Sequence, residues 1–225
     1  MSEVADRRVK LSDQAYDALR RGIMRGDLAA GARLSEPELT VQLGIGRTPL
    51  REAFLLLAQE GLIQLLPQSG SFVAAIDLDR VREAQFIREH LECGIIRQVA
   101  VSIDRRGLSD IRRLLEQQAE AHEDNDPDRF YELDEDLHAT FCRIAERPGV
   151  WRLIHQSKVH MDRVRHLSLP IADQIPRLIG QHRVILDALG QGDPDRAETA
   201  LRTHLREVFA TIDTLKLDTT TKAAR

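Results

Sequence analysis

Aromatic residues are scarce: Phe, Trp and Tyr make up 4% of the 225 residues. With Ala, Leu and Arg abundant, that balance favours helices. Cysteine is nearly absent. Cys93 and Cys142 lie far apart inside apolar helical patterns, which excludes a disulfide framework and points to small buried thiols in a reducing compartment. No apolar run approaches the ~20 residues a membrane span needs. The opening MSEVADRRVK has no apolar centre, so neither a membrane protein nor a signal peptide is expected, and the expected location is cytoplasmic. Positive charge is not in excess either. The formal net charge is −4, so the protein as a whole carries no electrostatic footprint of a nucleic-acid binder.

The charge is unevenly spread. Residues 7–25 hold Arg7, Arg8, Lys10, Arg20, Arg21 and Arg25 against Asp13 and Asp17, and the first 76 residues balance nine basic against nine acidic side chains. A local basic face can bind phosphates on an acidic protein, because physiological salt screens charges beyond roughly 8 Å. The hydrophobic share of 42% and charged share of 30% are ordinary for a globular chain, long enough here for two modest cores.

Turn residues divide the chain. Residues 11–25 have helical spacing, with Ser12 as the expected cap and Ala15, Leu19 and Ile23 on one face. Gly26-Asp27 and Gly31 break it, and residues 32–34 suit a short strand. Ser35-Glu36-Pro37-Glu38 has the form of a capping box before a short helix that stops at Gly44. Thr48-Pro49 opens the next helix, with Thr48 as cap, and Gly61 closes it. Two short extended runs, 62–66 and 71–75, flank the turn Pro67-Gln68-Ser69-Gly70. Helix, helix-turn-helix, hairpin is the winged-helix order. From Asp77 onward six helical segments are expected, at 78–103, 108–124, 127–146, 149–167, 172–189 and 194–215. The fold expected is therefore mainly α: a winged helix-turn-helix over residues 1–76, an all-α antiparallel bundle over 77–217, and a disordered tail over 218–225.

In a helix-turn-helix the second helix enters the major groove by its first residues. Leu50, Ala53, Phe54 and Leu57 supply its inward stripe, Arg51 lies off that stripe, and Arg47 precedes it. Both arginines can meet base edges or phosphates, and Thr48 can touch a phosphate at the helix start. Gly70 lets the hairpin tip approach the minor groove. For either arginine alone, a solvated surface residue is the alternative. The run from Leu34, LSEPELTVQLGIGRTPLREAFLLLAQEGLIQLLPQSGSFVA, resembles the DNA-binding domain of the GntR superfamily, most specifically at GRTPLREA. The resemblance covers about residues 11–75 and implies contacts to double-stranded operator DNA at Arg47, Thr48, Arg51 and Gly70. Two positions depart from the pattern. Pro37 stands where many members have a basic DNA contact, and Gly46 stands where Ser or Thr is common.

Eight histidines are spread through the chain, and most, including His90, His122, His155, His160 and His166, have no suggestive spacing. Asp134 and His138 lie at i and i+4, on one helix face, a spacing that suits two ligands to one cation. His182 and His204 flank the short connection at 190–194 at similar distances, so they can face each other across an antiparallel hairpin. Satisfied core histidines are the alternative. The segments LDEDLHATFCRIAERPGVWRLI and QHRVILDALGQGDPDRAETALRTHL resemble the FCD ligand-binding domain of the FadR-like branch of the same superfamily, over about residues 78–215. That resemblance implies a divalent metal on Asp134, His138, His182 and His204: zinc foremost, with nickel, cobalt or manganese as alternatives. Arg147-Pro148-Gly149 replaces a customary Gly-Asn turn. Arg88 corresponds to an arginine near the family's effector pocket, with Arg163 and Arg165 as further partners for an anion. The expected function is a homodimeric regulator, a repressor released or modulated by a small organic or sugar acid. A metal-dependent hydrolase is the alternative from another class, though no H-E-x-x-H and no separate general base accompany the cluster.

Overall fold

The computed structural model describes residues 10–217. Within them the chain forms two compact units that divide between Ile76 and Asp77. The expected tail over 218–225 and the first nine residues lie outside the described residues.

The first unit opens with α1 (Leu11–Arg25). Ala15, Leu19 and Ile23 are buried on one face, and the helix ends at Gly26 in the left-handed conformation. Ser12 is not the cap: the helix starts beside Lys10, and Ser12 is buried inside its first turn. After β1 (Arg33–Leu34) comes α2 (Glu36–Leu43), then Gly44 in the left-handed region, then α3 (Arg47–Gln59). Ser35 occupies the cap of α2, but no side-chain bond closes the expected box. Glu38 is exposed. Thr48 is not a cap either. Gly46 already has extended backbone there, so α3 begins at Arg47.

Leu50, Ala53, Phe54 and Leu57 turn inward from α3 against α1, each large side chain contributing roughly 1.5–3 kcal/mol by leaving water. The Tyr16 hydroxyl donates to Glu60, joining the two helices. Burial, together with that carboxylate, pushes the Tyr16 phenol up to about 12. Strands β2 (Ile63–Leu66) and β3 (Gly70–Val73) complete an antiparallel sheet of order β1-β3-β2, with Arg33 opposite Phe72 and Leu66 opposite Gly70.

The second unit is a helical bundle: α4 (Leu78–Ser102), α5 (Arg105–Glu123), α6 (Pro127–Ile144), α7 (Pro148–Ser157), α8 (Val159–Ser168), α9 (Gln174–Gly190), α10 (Pro194–Leu205) and α11 (Glu207–Thr214). Asp77, Asp104, Asp126 and Asp193 cap α4, α5, α6 and α10 through their carboxylates. Each satisfies amide N–H groups that a helix start leaves orphaned. Ile96, Val99, Ile111, Phe141, Ile185 and Leu201 belong to one buried cluster that joins α4, α5, α6, α9 and α10.

Eight helices stand where six segments were expected, because two segments break without Gly or Pro. The first break is at Lys158, whose ammonium turns inward, 2.5 Å from a Glu135 oxygen and 2.6 Å from Asp162. The second is at Arg206, whose side chain reaches Glu89 on α4 with bonds of 3.0 and 2.7 Å. Among the described residues no helix is long and apolar enough to cross a membrane.

Candidate functional site

On the first unit, Arg47, Thr48 and Arg51 all lie exposed on the opening turns of α3, and Gly70 is exposed at the hairpin tip. Arg47 and Arg51, four residues apart, share a helix face. Arg51 is 65% exposed in its side chain and meets the Glu36 carboxylate at 3.1 Å. Gly70 has φ +111°, a conformation few side chains tolerate, and a β-carbon there would come within 3.3 Å of Arg33 Nε. Arg33 therefore joins the hairpin tip as a further cation. Spacing did not reveal it, because only the pairing of β1 with β3 brings it there.

On the second unit, Asp134, His138, His182 and His204 are buried together, with one ligand atom from each lying within 4.8 Å of all the others. α6 supplies Asp134 and His138 on one face, α9 supplies His182 and α10 supplies His204. The Nε2 atoms of His138 and His182 lie 3.3 and 3.4 Å from His204 Nε2. Asp134 Oδ1 lies 3.2 Å from His182 Nε2 yet accepts no hydrogen bond. Bonds of about 2.0–2.1 Å at tetrahedral angles place donor atoms about 3.3 Å apart, so this buried donor set fits a divalent cation.

Charge around the cluster is dense. Arg88, 3% exposed, donates from Nε to Glu92 at 2.6 Å, and its Nη2 is buried with no hydrogen-bond acceptor. Glu92 in turn meets His138 Nδ1 at 2.5 Å. Burial pushes the Glu92 carboxyl up, but Arg88 and His138 outweigh it and hold the group at about 2. Arg165 pairs with Asp134 Oδ2 and, at 2.8 Å, with Glu135. Burial likewise raises the Asp134 carboxyl, and Arg165 together with His182 drives it well below its ordinary range. Burial and the neighbouring imidazoles lower His204 far below the usual histidine value.

Ion pairs and histidine contacts thus run without a gap from Arg88 through Glu92, His138, Asp134, Arg165, Glu135 and Lys158 to Asp162. Arg163 is buried on α8, within electrostatic reach of His160; burial pushes it down to about 10. Glu92, Glu135, Lys158 and Asp162 were not singled out from the sequence, since i,i+4 pairs such as Arg88–Glu92 and Lys158–Asp162 look like ordinary surface pairs until the helices pack around them. An outer groove between α9 and α10 is lined by Val184, Thr199, Ala200, Thr203 and Gln181, whose Oε1 lies 3.0 Å from His204 Nδ1.

Comparison with known proteins bears on both units. Residues 11–73 match the family model of bacterial regulatory proteins of the gntR family, and residues 83–207 match the FCD domain. The chain is 40% identical over 201 residues to an HTH-type transcriptional regulator in an unstable DNA locus of Streptomyces ambofaciens, covering 89% of this chain and 84% of that protein. It is 37% identical over 202 residues to the HTH-type transcriptional repressor RspR of Escherichia coli, covering 90% and 89%. The solved structure of E. coli McbR/YncC shares the fold, with a TM-score of 0.73 at 23% identity over 92% of this chain and 99% of that one. Both matched sequences are named as transcriptional regulators, and the hydrolase alternative has no support. With a winged helix of the gntR type in front of an FCD bundle, the chain belongs to the GntR family and is a DNA-binding transcription regulator.

Proposed function

We propose that the chain is a homodimeric, metabolite-responsive repressor working in the cytoplasm. Residues 1–76 read double-stranded operator DNA, and residues 77–217 dimerise and bind metal and effector. Arg47, Thr48, Arg51 and Gly70 make the DNA contacts: the arginines at base edges or phosphates, Thr48 at a phosphate, Gly70 at the minor groove. In a dimer, two such heads meet half-sites about one helical turn apart. The RspR relative is itself named a repressor, which favours that sense of control.

Asp134, His138, His182 and His204 hold a divalent metal, zinc foremost and nickel, cobalt or manganese as alternatives. The effector is a small organic or sugar acid. Bound, the ion supplies a positive charge on which a carboxylate can rest. The chain's own residues do the rest: Arg88 offers its unpaired Nη2, and Arg165 lies beside Asp134. Arg163, buried on the same helix as Arg165, is a further cation for the anion. Glu92, Asp134, Glu135 and Asp162 are matched along these pairs by Arg88, Arg165 and Lys158, so a dication would add the positive charge that an anionic effector needs. Effector binding then shifts the bundle between packings and changes the two heads' fit to DNA.

One observation carries the proposal: four buried donor atoms lie within 4.8 Å of one another, beside a buried guanidinium nitrogen without an acceptor. Elemental analysis of the purified protein tests the metal. The wild type should hold about one divalent ion per chain and His182→Ala much less; full stoichiometry in that variant removes His182 from the set. A mobility-shift titration tests the effector: organic acids should release operator DNA from the metal-loaded protein and not from the chelated one.

A further inference from the structure

Each imidazole of the cluster has a second nitrogen, Nδ1, turned away from the shared point. His138 Nδ1 meets a Glu92 oxygen at 2.5 Å, His182 Nδ1 meets Gln118 Oε1 at 2.8 Å, and His204 Nδ1 meets Gln181 Oε1 at 3.0 Å. All three partners are acceptors. Glu92 is a carboxylate paired with Arg88. The two amides are oriented by their other ends. Gln118 Nε2 donates to the Leu133 carbonyl at 3.3 Å, and Gln181 Nε2 donates to Glu207 at 3.0 Å. Reversing either amide would set oxygen against oxygen. A neutral imidazole carries one proton, and in each ring that proton must sit on Nδ1.

From this geometry we infer that Glu92, Gln118 and Gln181 are positioning residues. They fix His138, His182 and His204 in the Nδ1–H tautomer, so three bare Nε2 lone pairs face one point before any cation arrives. The Nε2 atoms then stand bare at 3.3 and 3.4 Å from one another and Asp134 Oδ1 lies 3.2 Å from His182 Nε2, so lone pairs face one another at the spacing of donors around one cation. The three acceptors come from α4, α5 and α9, so the tautomers are set by the packing of helices that mostly supply no ligand. Outer partners of this kind typically change metal affinity 10–100-fold when removed.

The inference rests on the metal reading above, and its test separates the two. Full-length, metal-free protein labelled with 15N at histidine is examined by NMR, whose imidazole shifts report which nitrogen is protonated. Three Nδ1–H rings are expected; an Nε2–H tautomer at His182 or His204 overturns the inference, whatever metal binds. Gln118→Met and Gln181→Met keep the side-chain length and remove the acceptor. In Gln118→Met, His182 should change to the Nε2–H form and donate to Asp134. Zinc affinity, measured by competition with a chelator, should fall about 10–100-fold in each variant. Unchanged affinity in both sinks the inference. Nδ1–H tautomers in a protein that binds no zinc would uphold the positioning role and refute the metal. Gln181 is only half-buried, so its variant tolerates the change if the Gln118 variant fails to fold, and the wild-type tautomers decide in any case.

Discussion

Arg51 gains its position from the helix and its freedom from exposure. Its neighbours on the stripe, Leu50 and Phe54, are buried at 0% and 2% exposure, so the backbone that carries it is fixed while the guanidinium stays in solvent. Arg51→Ala should abolish specific operator binding in an anisotropy assay and leave thermal stability unchanged within about 0.5 kcal/mol. Retained affinity would take that residue out of the interface. Glu89 makes a different statement, about pH. The Arg206 hydrogen bond, aided by Arg202 and opposed by burial, holds its carboxyl at about 2. A carboxyl depressed in the folded state stabilises above its unfolded value, near 4.3, and loses that contribution as pH falls toward 2. Because Arg206 is 58% exposed, screening reduces the effect, and Glu89→Gln should cost about 1 kcal/mol at neutral pH. The variant should also show a shallower acid unfolding curve between pH 4.5 and 2.

Among the elements, those with regular spacing were the most legible. The stripes of α1 and α3 follow from periodicity, and the proline-glycine turn chemistry marks the hairpin. Asp134 and His138 could be paired because four residues make one helical turn, and His182 and His204 because a short connection sets them at equal heights. Glu92, Gln118 and Gln181 could not be found that way. Their meeting with the imidazoles depends on how α4, α5 and α9 approach, which no local spacing encodes. The breaks at Lys158 and Arg206 were hidden for the same reason, since each side chain there pairs with a carboxylate on another helix and no helix-breaking residue marks the spot. Where backbone conformation does dictate the residue, a substitution is decisive. At φ +111° and 3.3 Å from Arg33, Gly70→Ala should destabilise the hairpin by about 1–3 kcal/mol. It should also weaken operator binding, both measurable by denaturant titration and mobility shift.

At the scale of the molecule, two compact units meet at Ile76 and Asp77, and the buried donor cluster lies wholly in the second. Calorimetry of the full chain should therefore resolve two transitions, and a chelator should move one of them. An ion present at a thousandfold excess over its dissociation constant stabilises by about 4 kcal/mol. That should raise the helical unit's midpoint by on the order of 10 °C and leave the other transition in place. A single transition, shifted as a whole by the chelator, would mean that the units unfold as one.

The pairing of Arg51 with Glu36 has a consequence for how a duplex is chosen. On the proposed contact, Arg51 would reach DNA with a competitor beside it, and a phosphate or guanine would have to displace the Glu36 carboxylate first. A lone phosphate trades one charge-assisted bond for another, whereas a guanine offers the guanidinium a bidentate pair. Such a helix would keep a standing substitute for the wrong sequence, and discrimination would begin in the free protein.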